Sequence, residues 1–358
     1  YYQAILQNLF FATLNTPMHS DQRRFATDDG FVQNKAEYGA KTLYRYASAF
    51  KDPAHALTYF ASIPHLNGGL FTCLDIEDAN NERKVVYLDG FSRNPRKAAK
   101  VPNYLFFGRS RTVDLSAEYG DPKRTDEPVR GIFHILNDYK FTLSENTPLD
   151  QEVALDPELL GQVFENLLAA YNPETNESAR KQTGSFYTPR TIVDYMVDQS
   201  LIAYFAEKLG TDAPDMLERI SHLLAYNDEP SLLNAKETQT VLKAIEECKI
   251  FDPACGSGAF PMGVLNKLVH VLQKLDPENK QWKETQIARL DSPSMRELLR
   301  TKYDHNDDDY GRKLGLIEHC IFGSDIQPIA IQIAKLRFFI SLLCDQRTTP
   351  DADNYGIE

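Results

Sequence analysis

A glycine-rich segment at 252–260, with the sequence Asp-Pro-Ala-Cys-Gly-Ser-Gly-Ala-Phe, is the part of the chain whose residue types are best suited to chemistry. It follows the short apolar run 249–251, which predicts a strand, and precedes a helical pattern over 259–275. Glycines between a strand and a helix let a ligand approach the backbone where a side chain would block it. The segment therefore predicts a small-molecule site at the carboxyl end of a strand in an α/β domain.

Three classes of ligand use such a turn, and the flanking residues help to distinguish them. The dinucleotide fingerprint has a third glycine where this chain has Pro261, and its ribose-binding acid lies about 20 residues beyond the loop. Here the next acid that ends a predicted strand, Asp325, lies much farther along the chain. A phosphate-binding P-loop ends in Gly-Lys-Ser/Thr, but Gly258 is followed by Ala-Phe. NAD and ATP are both disfavoured.

A ligand with a ribose and a zwitterionic amino-acid tail, but without phosphate, fits the remaining pattern. Asp252 ends the first predicted strand and can accept a hydrogen bond from an α-ammonium group. Asp325 follows a second predicted strand at 320–324 and can accept from ribose hydroxyls. The expected cofactor is therefore S-adenosylmethionine. The alternative is a tight turn that binds nothing.

Three motifs resemble those of amino-methylating DNA methyltransferases. Residues 252–260 resemble their cofactor-binding motif, Gly184–Pro189 resembles the motif that closes over the methionine end, and Gly323–Pro328 resembles the ribose-binding motif. This resemblance is strong from 157 to 343. Weaker similarity to the connector of single-chain type IIG restriction-modification enzymes is found at Leu6–Asn15, Ile63–Phe71 and Val163–Tyr171.

The resemblance implies roles for individual residues. It places Tyr187 and Thr188 at the methionine end of the cofactor, together with Asp252, Ala254 and Gly256. It places Asp325 at the ribose and Ile326 at the adenine face. Phe186 and Tyr187 could instead be ordinary core aromatics, and Ile326 a packing residue. The implied cofactor-binding residues are Phe186, Tyr187, Thr188, Asp252, Ala254, Gly256, Gly258, Asp325 and Ile326.

The catalytic motif of that family is not found in these 358 residues. Its Asn/Asp-Pro-Pro-aromatic loop holds the flipped base, whereas the Asn-Pro pairs at 94–95 and 172–173 lack the second proline and the aromatic. We expect the sequence to stop before the sheet is complete, so that it carries no catalytic residue and is inactive by itself. Cys255 could instead be the nucleophile of an enzyme that methylates a cytosine carbon. This role is disfavoured because Cys255 lies inside the cofactor loop.

The helical patterns predict a two-domain chain. Asp156-Pro157 begins an amphipathic helix, so we expect a mainly helical or mixed connector over 1–155 and the amino-terminal part of a Rossmann-like class I methyltransferase domain over 156–358. Thr188 is predicted to cap a second helix that starts at Pro189. Its predicted apolar face consists of Ile192, Val193, Met196, Val197, Leu201 and Phe205.

The net charge of −12 argues against nucleic-acid binding, but the distribution of the charges weakens that objection. The segment Phe91–Arg111 has six basic residues, no acidic ones and interleaved aromatics. We expect it to contact the backbone of double-stranded DNA, although a solvated loop is an equal alternative. The predicted contacts are Arg93, Arg96, Lys97, Lys100, Arg109 and Arg111.

Composition excludes several other classes of protein. The five cysteines form no Cys-x-x-Cys pair, which disfavours a disulfide framework and a zinc ribbon and favours a reducing cytoplasm. No apolar run approaches the roughly 20 residues that span a membrane. The acidic run at 304–309 is typical of a solvated surface rather than a metal site.

Together these features predict a DNA methyltransferase that transfers a methyl group from S-adenosylmethionine to the N6 amine of adenine within a restriction-modification system. Two alternatives stay open. This region could be the cofactor-gated recognition body of a restriction endonuclease, or a non-catalytic module that binds S-adenosylmethionine. The DNA target and the oligomeric state are not predicted.

Overall fold

The computed structural model describes residues 1–26, 43–66, 76–78, 81–86, 100–138, 188–211 and 213–347. The chain divides into two compact units, Tyr1–Val153 with Thr348–Glu358, and Ala154–Arg347. The domain assignment made from the sequence, 1–155 and 156–358, stays a prediction.

The first unit mixes short helices and strands. A π-helix spans Tyr2–Thr13 where the sequence predicts an amphipathic helix, and a 3-10 helix spans Ala47–Ala49. The α-helices are α1 (Pro53–Ala61), α2 (Tyr104–Phe107), α3 (Ser116–Tyr119) and α4 (Ile132–Asp138). The strands β1 (Ile76–Asp78) and β2 (Asn81–Val86) form one antiparallel pair, and β3 (Arg111–Val113) and β4 (Glu127–Val129) form another.

One arginine organises the small core of this unit. Ala12, Tyr44 and Phe60 are buried together, and the Arg23 guanidinium donates to the carbonyl oxygens of Phe60 and Ile63 at 2.8 and 2.9 Å. It also donates to carbonyls at the end of the π-helix. The Arg23 side chain thus joins the end of the π-helix to the end of α1.

The second unit packs helices around one parallel strand pair, β5 (Ile250–Asp252) and β6 (Ile321–Gly323). Its core contains Phe205, Ile220 and Leu265, all fully buried. The helices, in chain order, are α5 (Arg190–Leu209), α6 (Pro214–Leu224), α7 (Ala235–Glu247), α8 (Ala259–Leu275), α9 (Lys280–Ala288), α10 (Pro293–His305), α11 (Asp308–His319) and α12 (Pro328–Cys344).

The start of α5 differs from the prediction. The capping residue is Pro189, not Thr188, and no side chain caps the helix. Pro189 has ψ 141°, outside the helical region, so the helix begins one residue later and the Pro189 carbonyl accepts from the backbone of Ile192 and Val193. The buried face is also narrower than predicted, because Ile192 and Met196 are exposed.

The described residues therefore form a mixture of helices and two-stranded sheets, which is consistent with an α/β fold. None of the helices within the described ranges is long and apolar enough to cross a membrane. No group of three or more potential metal-binding side chains occurs in those ranges either. In the acidic run, Asp307 and Asp309 pair with Arg347 and Arg312.

Candidate functional site

The glycine-rich turn lies where the parallel strands β5 and β6 both end. Asp252 is the register partner of Gly323, and the Ser324 amide donates to the Asp252 carbonyl at 2.9 Å. The Cys255 amide then donates to the Ser324 carbonyl at 3.0 Å. Since the carboxyl ends of parallel strands meet at one edge of the sheet, these bonds bring the turn and the segment after β6 together.

Two glycines give the turn its shape. Gly256 has φ 53° and Gly258 has φ 88°, both in the left-handed region that other residues rarely adopt. Gly258 is also the residue that caps α8, and a Cβ atom built on it would lie 3.2 Å from the Cβ of Ala334. The turn thus needs glycine at this position for its backbone angle and for its contact with α12.

The Asp252 carboxylate has one oxygen that is available for a ligand. Its Oδ1 accepts from the Ala254 amide at 3.0 Å, which fixes the side chain against the turn. Its Oδ2 is buried and has no hydrogen-bond partner among the described residues. A buried acceptor without a donor is costly, so this oxygen is suited to a cationic ligand group.

The second predicted acid, Asp325, holds the turn itself. Its Oδ2 accepts from the Gly256 amide at 3.0 Å and its Oδ1 from the Gln327 amide at 2.8 Å. Each carboxylate oxygen can accept a further bond, so the expected contact with a ribose stays a prediction. Ile326, the predicted adenine contact, is 87% exposed beside this carboxylate.

Arg337 is a residue of this region that the sequence reasoning missed. It lies on α12, is only 4% exposed, and donates from Nη1 to the Ser257 carbonyl at 3.0 Å. Besides the backbone hydrogen bonds to Ser324, the side chains of Asp325 and Arg337 therefore also tie the turn to the segment after β6. The only hint in the sequence is a cation within the apolar pattern of 328–344.

Thr188 lies at the same end of the unit as the turn. A Cβ atom built on Gly263 of α8 would lie 2.5 Å from Val193 Cγ1 of α5, and farther along the same helices Lys267 Nζ lies 2.9 Å from Asp198 Oδ1. The contact that lies farther along α5 also lies farther along α8, so the two helices run in the same direction. Thr188 precedes one helix and the turn precedes the other. Phe186 and Tyr187, predicted to act with Thr188, lie outside the described residues.

Cys255 lies between the two carboxylates and is 7% exposed. Burial, followed by the negative charges of Asp252 and Asp325, raises the pKa of its thiol. A raised pKa leaves the thiol protonated at neutral pH, and only the thiolate is a strong nucleophile. The structure therefore gives no support to the alternative of a nucleophilic Cys255.

The burial of Cys255 leads to a first prediction. When the folded protein is treated briefly with iodoacetamide at pH 7.5, the exposed Cys344 should be alkylated about tenfold faster than Cys255. Peptide mass spectrometry after timed quenching measures both rates, and an unfolded sample, in which the difference should vanish, is the control. Faster alkylation of Cys255 than of Cys344 would show that it is a reactive nucleophile.

Three residues of the predicted basic patch lie within the described part of the first unit. Lys100, Arg109 and Arg111 are all exposed, and the Arg111 guanidinium carbon lies 4.8 Å from the ring centroid of Tyr104. Arg93, Arg96 and Lys97 lie outside the described residues. Basic side chains beside an exposed aromatic are typical of a phosphate-binding surface, but also of ordinary solvated ones.

No family model matches the sequence. A curated protein of Methanocaldococcus jannaschii, named "Putative type II restriction enzyme and methyltransferase RM.MjaORFECS2P", is 26% identical over an alignment of 359 residues. The alignment covers 96% of this chain and 21% of that protein, so the chain spans about a fifth of its relative's length. The chain is thus similar, over nearly all of its residues, to one part of a protein whose name joins DNA restriction with methyl transfer.

Proposed function

We propose that this chain binds S-adenosylmethionine and forms the cofactor-holding part of an adenine-N6 DNA methyltransferase in a restriction-modification system, of the single-chain type IIG kind. The observation that carries the proposal is the Asp252 carboxylate, which presents one buried oxygen without a partner beside a turn shaped by Gly256 and Gly258. The similarity to a protein named as a restriction enzyme and methyltransferase supports methyl transfer within a restriction-modification system, and the choice of adenine N6 rests on the resemblance of the motifs.

The residues present fit this cofactor. Asp252 Oδ2 is suited to the α-ammonium group, and Gly256 has no side chain that would block the approach of a ligand to the backbone. Asp325 is suited to the ribose hydroxyls, Ile326 to one face of the adenine, and Thr188, with Phe186 and Tyr187, to the methionine end. When bound, S-adenosylmethionine supplies the methyl group as an electrophile.

The chain's share in the reaction is to bind and orient this donor. Orientation of reacting groups is a large part of catalysis, and rigid strand ends and helix starts provide it. The target base is held by the Asn/Asp-Pro-Pro-aromatic motif of the family, which these 358 residues do not contain. We therefore assign no catalytic residue here.

We further propose that β5 and β6 belong to a larger, Rossmann-like sheet. They are parallel, and helices connect one to the next along the chain, as in doubly wound folds. The register partners Phe251 and Phe322 are 61% and 43% exposed, whereas Ile321 on the opposite face is buried. A doubly wound sheet has helices on both faces, and these two aromatics mark the face that such a second layer would cover.

Double-stranded DNA is the proposed substrate, with the basic patch of the first unit as a backbone contact. If Lys100, Arg109 and Arg111 neutralise phosphates, replacing all three with glutamine should weaken DNA binding. The slope of the logarithm of the binding constant against the logarithm of the salt concentration should also become shallower, by about 0.9 for each lost contact. Titration of a fluorescent duplex at several salt concentrations measures this slope. An unchanged slope would remove the patch from the interface.

The activity is tested by incubating a complete methyltransferase that contains this chain with duplex DNA and S-adenosylmethionine and identifying methylated nucleosides by mass spectrometry, whereas these 358 residues alone should bind the cofactor without methylating DNA. N6-methyladenine supports the proposal, and N4-methylcytosine would correct the target base. Magnesium-dependent cleavage without methylation would favour the recognition body of an endonuclease. Cofactor binding with neither reaction would favour a non-catalytic module.

A further inference from the structure

The helices α5 and α8 lie close together at a glycine. Gly263 lies in the second turn of α8, directly after the glycine-rich turn, and Val193 lies in the first turn of α5, directly after Thr188. A Cβ atom built on Gly263 would lie 2.5 Å from Val193 Cγ1 and 3.6 Å from Val197 Cγ2. Any side chain at this position would therefore push the two helices apart.

The valine cannot easily make room. A β-branched side chain in a helix has one strongly preferred rotamer, so relief of the clash requires movement of the α5 backbone. A glycine within a helix costs about 1 kcal/mol relative to alanine, so its presence in the middle of α8 calls for a reason. The close helix contact provides that reason.

An ion pair between a buried lysine and a partly exposed aspartate joins the same two helices farther along. Lys267 is almost fully buried, and its ammonium group contacts Asp198 Oδ1 of α5 at 2.9 Å and donates to the Leu224 carbonyl at the end of α6 at 2.9 Å. It also lies 3.9 Å from the ring centroid of Tyr226. Buried charges tolerate little displacement from their partners, so this lysine sets the register of α5 along α8.

We propose that Gly263 is a positioning residue that sets the distance of Thr188 from the glycine-rich turn, with Lys267 fixing the register. The inference rests on the proposed function, because it assigns Thr188 to the methionine end of S-adenosylmethionine. Gly263 touches neither the turn's carboxylates nor the adenosine-binding residues. Its effect is therefore confined to the amino-acid end of the cofactor.

The test compares two probes in calorimetric titrations, S-adenosylmethionine and 5′-methylthioadenosine, which lacks the amino-acid tail. Gly263→Ala should weaken binding of S-adenosylmethionine about tenfold, the scale of one lost hydrogen bond, and change that of 5′-methylthioadenosine less than about twofold. Val193→Ala combined with Gly263→Ala makes room for the added methyl group and should restore most of the affinity. Gly315→Ala is the matched control, because that glycine is also helical but its added methyl group would meet Gln286 of α9 rather than α5.

A second pair of variants covers the case in which Gly263→Ala does not fold. Lys267→Met should show the same selective loss, whereas Lys274→Met, on the same helix but bonded to Ala225 and Asn227 rather than to α5, should not. Equal losses for both probes, or no rescue by the double variant, would overturn the positioning role. A wild-type protein that binds no S-adenosylmethionine would instead overturn the proposed function.

Discussion

Replacing Asp252 with alanine should weaken binding of S-adenosylmethionine by about 1.5–3 kcal/mol, which is roughly a tenfold to hundredfold rise in Kd. The reason is the buried Oδ2, which has no donor among the described residues and is suited to the ligand's ammonium group. Calorimetric titration of the wild type and the variant measures the difference.

Asp252→Asn separates charge from shape in this prediction. The amide keeps an oxygen that can accept from the Ala254 amide, so the turn should stay folded, but the ionic contact with the ligand is lost. We expect the asparagine variant to bind as weakly as the alanine variant, within a factor of about three. Asp291→Ala, at an exposed carboxylate of the same unit, is the control and should bind as the wild type does. Full affinity in the asparagine variant would remove Asp252 from the ligand site.

Replacing Gly258 with alanine should lower the free energy of unfolding by about 2–5 kcal/mol. Its φ of 88° strains any side chain by about 1–2 kcal/mol. The added methyl group would also lie 3.2 Å from the Cβ of Ala334, and overpacking of this kind costs about 1–3 kcal/mol. Urea unfolding of the variant and the wild type, followed by circular dichroism, gives the difference in stability.

Gly210 provides the matched control for this substitution. It has φ 73°, and nothing lies within 4 Å of a Cβ atom built on it, so Gly210→Ala carries the backbone strain without the contact. We expect a loss of about 1–2 kcal/mol at that position. Equal losses at the two glycines would mean that α12 yields to the added methyl group, and that the turn is not held tightly against it.

Features that depend on neighbouring residues could be predicted from the sequence. The strands β5 and β6 follow from short apolar runs, and the turn between β5 and α8 follows from its glycines, because strand, turn and helix patterns are local. The acids at both strand ends could be placed at one edge, since parallel strands align their carboxyl ends. The likeness of the chain to a protein named as a methyltransferase agrees with the cofactor expected from those residues.

Features that depend on distant contacts could not be predicted. The sequence gives no sign that Asp325 accepts from Gly256, that Arg337 reaches the Ser257 carbonyl, or that Gly263 meets Val193. The predicted cap at Thr188 is wrong because the backbone of Pro189 lies outside the helical region, an angle that the residue types alone leave open. Such contacts are set by how whole helices pack.

We expect the turn at 252–260 to bind S-adenosylmethionine in preference to nucleotides with phosphates. The most direct test of this preference is a calorimetric titration of the full chain with S-adenosylmethionine, repeated in the presence of excess NAD or ATP. We predict binding of one S-adenosylmethionine per chain that neither nucleotide displaces. Absence of binding, or displacement by the excess of NAD or ATP, would contradict the account.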